Sequence, residues 1–152
     1  MMDTVVNFLY AAILSGTPLL FGTVGEITTQ KAGNLNLGVE GMMWLGAFAG
    51  FFAAYKTDSP LFAVLAAFAF AAFGALIYAF LTVTLKANQN VTGLTLTTFG
   101  IGLSLAMSFS MTNKAGGAPK LSAGFIASLD TVRIPYLSDI PYIGKLLFSL
   151  NP

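Results

Sequence analysis

Glu40 is the residue of this chain whose type and setting point most directly to chemistry. It sits a few residues into an apolar run, inside GNLNLGVEGMM (Gly33 to Met43), with Asn36, Gly38 and Gly41 around it. A carboxylate at the edge of hydrocarbon is costly, and such residues mark pathways, relays or gates. The glycines permit unwound or closely approached backbone, and Asn36 adds a side-chain amide. Together they have the composition of a discontinuous helix start, a device that places polar groups at membrane depth. An ordinary loop with Glu40 at a helix N-terminus, where the macrodipole favours an acid, explains the same residues. Paired-carboxylate catalysis has little support, because Glu26 is the only other acid nearby and falls outside the run.

Composition restricts the chemistry further. Apolar residues make up 56% of the 152 and charged residues 9%, which defines an integral membrane protein. The net charge of +1 offers no footprint for a nucleic acid polymer. With no Cys and no His, thiolate nucleophiles, Ser/His triads and the usual zinc or haem ligands are excluded. No GxxxxGK[ST] phosphate loop occurs either. We expect no cofactor and no enzymatic activity. The N-terminus has no basic segment or small-residue cleavage site, so its first apolar run reads as a retained span.

The elements that must hold Glu40 are four apolar runs, each near the roughly 20 residues that cross a bilayer as helix. They cover residues 4–24, 37–55, 61–85 and 91–111. Backbone facing lipid must be bonded within its own segment, and no barrel-like alternation occurs, so the fold class is all-α: a polytopic membrane bundle of four helices, the second interrupted. Residues 1–111 form this transmembrane domain. Residues 112–152 hold Lys114, Lys120, Asp130, Arg133, Asp139 and a Gly-Gly pair, and read as an extramembrane or interfacial tail. The closing Asn151 and Pro152 suggest a chain that continues or is split.

Small residues outline packing faces. Gly46 and Gly50 form a GxxxG pair, and Ala63, Ala67, Ala71, Ala75 and Ala79 recur at spacing four, as expected where helices approach closely in lipid. Alanine abundance alone accounts for the row equally well. Pro18 predicts a kink in the first span. Thr92, Thr95 and Thr98, with Thr97 beside them, form a hydroxyl stripe that lines a path or bonds carbonyls one turn back.

The motifs TPLL (Thr17 to Leu20), Gly25-Glu26, GNLNLGVEGMM, TLKANQNVTG (Thr84 to Gly93) and IPYLSDIPYIG (Ile134 to Gly144) together resemble the N-terminal half of permease subunits from ABC importers for nucleosides and simple sugars. Asn34 stands where that family usually has an apolar residue, and Gln30 where it often has an acid. The resemblance implies a passive pathway subunit in a prokaryotic plasma membrane. Its implied partners are a second permease, cytoplasmic ATP-binding subunits and an extracytoplasmic substrate-binding lipoprotein. It places Asn36, Gly38, Glu40 and Gly41 near the translocation path. It also puts the tail outside the cell, whereas a naive lysine and arginine count puts it inside. Two other readings of the chain are a small four-helix structural membrane protein and a fragment of an ion-coupled carrier with Glu40 as its proton site.

Overall fold

The computed structural model describes residues 2–129, so the sequence expectations for the rest of the tail lie outside the described residues. Helix α1 spans Met2–Lys31, α2 Val39–Thr57, α3 Pro60–Ala79, α4 Gln89–Ala115 and α5 Ala123–Ser128. A π-helical turn, Phe80–Thr84, extends α3. The chain is a helical membrane bundle.

Each boundary has a local cause. Gly33 adopts φ +86°, a left-handed conformation that suits the end of α1. Asp58 closes α2 at φ 50°, its N–H bonded to the Ala54 carbonyl at 2.9 Å. Pro60 occupies the first turn of α3, where its missing N–H costs nothing. The Asn88 side chain accepts the Val91 N–H at 3.1 Å and starts α4, and Gly116 ends it at φ 69°. The Ser122 hydroxyl caps α5 through the Phe125 N–H, also at 3.1 Å.

Three stretches, Thr4–Lys31, Pro60–Thr84 and Gln89–Ala115, are long and apolar enough to cross a membrane. In α1 the hydroxyls of Thr17, Thr23, Thr28 and Thr29 each donate to the carbonyl one turn back, so these polar groups are satisfied within the helix. Helix α1 continues through Pro18 to Lys31. Helix α4 continues past the expected end at 111 to Ala115, where Gly116 stops it.

Helix α2 is different in kind. It is 19 residues long, carries Glu40 in its first turn and Lys56 in its last, and is the most enclosed element. Its residues Gly41, Met42, Leu45, Gly46, Ala49 and Ala54 are buried between α3 and α4. Met42, Tyr78 and Leu96 form a core cluster, with Ile77 against it. The outer faces of α1 and α3 present Phe21, Leu19, Phe68, Phe73 and Leu76 outward, as suits lipid or a neighbouring helix.

Candidate functional site

The helical backbone is interrupted between Lys31 and Val39, ahead of α2, and α2 then runs unbroken. In water such a break is unremarkable. In a membrane bundle its N–H and C=O groups must find partners in the protein, since an unbonded one costs several kcal/mol.

Partners arrive from every surrounding helix. From α1, Glu26 Oε1 accepts the Asn36 N–H at 2.9 Å, and the Gln30 amide donates to the same oxygen at 3.2 Å. From α3, the Tyr78 hydroxyl donates to the Leu35 carbonyl at 2.6 Å. From α4, Gln89 Oε1 accepts the Leu35 N–H at 2.8 Å, while its Nε2 donates to Asn34 Oδ1 at 2.9 Å and to the Gly33 carbonyl at 3.4 Å. About two turns further along α4, the Thr97 hydroxyl donates to the Leu37 carbonyl at 2.7 Å. Within the break, Asn36 Oδ1 accepts the Gly38 N–H at 2.9 Å, a local turn that launches α2. Its amide nitrogen lies 3.8 Å from Met42 Sδ. Asn36 is buried.

Helix α4 comes close enough to make these bonds because neither it nor α2 carries side chains at the crossing. A Cβ placed on Gly41 would lie 2.6 Å from Thr97 Cα, and one on Gly100 would collide with the Gly41 backbone. Gly38 and Gly93 face each other across the same seam, where a Cβ on Gly93 would sit 2.8 Å from the Leu37 nitrogen.

Of the four path candidates, the structure buries Asn36, Gly38 and Gly41, the two glycines against α4, and leaves Glu40 exposed. Glu40 lines an open groove of about 890 Å3 between α1 and α2, with Thr23, Glu26, Gln30, Met43 and Trp44 among its walls. Among the described residues, two carboxylates and no cationic side chain line this groove. Glu26 is the residue that reading the run by itself passes over: one oxygen holds the break, and the other is buried without a hydrogen-bond partner among the described residues. The Gly-Glu pair at 25 and 26 was the available signal, and its target ten residues on was not.

The threonine stripe separates. Thr98 bonds the Leu94 carbonyl of its own helix at 3.0 Å, Thr92 is half-buried, Thr95 is exposed, and the neighbour Thr97 makes the cross-helix bond. On the other side of α2, a Cβ on Gly46 would stand 3.0 Å from the Ala67 carbonyl oxygen and 3.3 Å from Ala71 Cβ. One on Gly50 would stand 3.1 Å from Ala67 Cβ. Ala75 lies exposed beyond this contact.

Apolar helices gathered around a break whose backbone is bonded to α1, α3 and α4, beside a groove lined by acids, define a multi-pass membrane protein. The chain belongs to the family described as branched-chain amino acid transport system, permease component, which it matches over residues 7–138. A protein of Haloferax volcanii, provisionally named a glucose ABC transporter permease, is 32% identical over 147 residues, covering 97% of this chain and 43% of the relative. The guanosine ABC transporter permease of Bacillus subtilis is 30% identical over 145 residues, 91% of this chain and 44% of the relative. The nucleoside ABC transporter permease of Lactococcus lactis is 29% identical over 146 residues, 90% of this chain and 43% of the relative. The chain thus spans less than half the length of each of these relatives. No solved structure is a significant match to it.

Proposed function

We propose that this chain is the N-terminal part of a permease subunit in an ABC importer, and that it helps form the route by which a nucleoside or simple sugar crosses a prokaryotic plasma membrane by alternating access. The observation that carries this reading is the clamped break beside the groove that holds Glu40. A break bonded to α1, α3 and α4 at once is sensitive to any relative movement of those helices, which is what a gate in an alternating-access protein requires. Asn36, Gly38 and Gly41 set the start of α2, and through it the position of Glu40 on the groove wall. The carboxylates of the groove accept hydrogen bonds from the hydroxyls of a neutral solute and repel an anionic one, so the route suits a nucleoside or sugar better than its phosphate. The three named relatives, assigned to glucose, guanosine and nucleoside transport, support the same substrate class.

In this reading the chain hydrolyses nothing. Cytoplasmic ATP-binding subunits, a second permease and an extracytoplasmic substrate-binding lipoprotein complete the transporter. The test is uptake into liposomes by the complete permease assembled with those subunits. Accumulation of nucleoside or sugar that requires ATP supports the proposal. Uptake that follows the proton gradient and ignores ATP would instead assign Glu40 to an ion-coupled carrier.

A further inference from the structure

At the end of α2 and α4 away from the break lies a second cavity, of about 340 Å3, which the pathway reading does not use. Its walls are two matched stripes. On α2, Phe48 and Phe52 precede Lys56 at successive turns, and on α4, Met107 and Met111 precede Lys114. Both lysines stand in the last turn of their helices. Tyr55 and Ser110 add hydroxyls, and among the described residues no acidic side chain lines the cavity. The Lys56 ammonium stands 6.0 Å from the Phe52 ring centroid and 5.9 Å from that of Tyr55, and Phe48 stacks on Phe52 with centroids 6.1 Å apart. Those contacts set the exposed ammonium beside the aromatic wall.

We propose that this cavity binds an anionic phospholipid, with its phosphate between Lys56 and Lys114 and an acyl chain against Phe48, Phe52, Met107 and Met111. A lysine at a helix C-terminus complements the macrodipole of its own helix, which accounts for either lysine alone. It does not account for two that line one cavity with apolar walls. Paired cationic and apolar lining is what an anionic phospholipid, with its charged head and hydrocarbon tail, complements. Inorganic phosphate would satisfy the lysines and leave the apolar walls bare. An acidic segment of a protein partner would do the same.

The test is native mass spectrometry of the full permease purified in detergent and offered equal amounts of phosphatidylglycerol and phosphatidylcholine. We expect phosphatidylglycerol to be retained about tenfold over phosphatidylcholine, given two lysines at headgroup depth. The preference falls to near parity in Lys56→Gln/Lys114→Gln, and persists in Lys56→Arg/Lys114→Arg. Millimolar inorganic phosphate leaves the bound lipid in place. Equal retention of the two lipids by the wild type, or an unchanged preference in the glutamine double variant, overturns the proposal. Displacement of the lipid by phosphate would overturn the acyl-chain part of it and leave an anion site. Should the glutamine variant fail to fold, the salt dependence of lipid retention by the wild type decides: a preference unmoved between low and high salt counts against the lysines.

Discussion

Glu26 on α1 holds the backbone N–H of Asn36 at 2.9 Å, and through that bond the outermost helix of the bundle fixes the place where α2 begins. The acid needed for this lies in a helix that otherwise touches the bundle lightly. Only a small share of its apolar window is buried. The bond therefore ties a peripheral helix to the most enclosed one, and Glu26→Ala should cost about 1.5 to 3 kcal/mol, the range for a hydrogen bond to a charged group. Glu26→Gln should cost far less, because its amide oxygen still accepts the Asn36 N–H and its NH2 takes the position of an oxygen that now has no partner. Thermal unfolding of the two variants in detergent checks the difference. Equal losses would contradict the assigned bond.

The Tyr78 hydroxyl and the Leu35 carbonyl offer a second, neutral test of the clamp. Tyr78→Phe removes the donor and leaves a part-buried carbonyl without it, for an expected loss of about 1 to 2 kcal/mol. Faster amide exchange confined to residues near the break should accompany the loss. A variant as stable as the wild type, with unchanged exchange, would show that the break does not depend on α3.

Two glycines of α4 should respond in opposite directions. Gly100→Ala meets the Gly41 backbone and should lower stability by about 1 to 3 kcal/mol, as overpacking does. Gly102→Ala meets nothing within 4 Å and should be neutral or stabilising by up to about 1 kcal/mol through helix propensity. Melting temperatures of the two variants, measured side by side, decide whether the α2–α4 approach is as close as described.

The α2–α3 seam makes a similar prediction. Gly50→Leu drives a side chain into Ala63 and Ala67 and should destabilise by about 1 to 3 kcal/mol. Ala75→Leu, at an exposed position of α3, should be tolerated. An undisturbed Gly50→Leu variant would argue against the seam.

Much of this architecture is readable from residue order. The apolar runs and their polar punctuation indicate helices, and the cluster of glycine and asparagine around Glu40 marks the place where helix gives way. What is not readable is which distant residues meet that place. Tyr78 lies 43 residues from Leu35, and Thr97 lies 60 from Leu37. Periodicity cannot tell whether a threonine turns inward or bonds its own helix, so Thr97 hides beside the more regular Thr92, Thr95 and Thr98. Gln89 was visible in KANQNV, yet only the fold shows its amide reading Asn34 and Leu35 at once. Asn34 gains a partner on α4 from that pairing. The same crossing explains why Gly38 and Gly41 pack against α4 while Glu40, from the same run, faces the groove.

The central claim is that Glu40, set on the groove wall by the clamped break, serves a route for a neutral solute driven by ATP. The most direct measurement is ATP-dependent uptake of radiolabelled nucleoside or simple sugar into liposomes by the complete transporter, comparing wild type with Glu40→Gln. The predicted result is accumulation by the wild type and at least about tenfold slower uptake by Glu40→Gln, a change on the order of 1.4 kcal/mol in the barrier, with membrane insertion and assembly unchanged. Uptake at the wild-type rate by Glu40→Gln would contradict the role assigned to Glu40, and no ATP-dependent uptake of any nucleoside or sugar by the wild type would contradict the account as a whole.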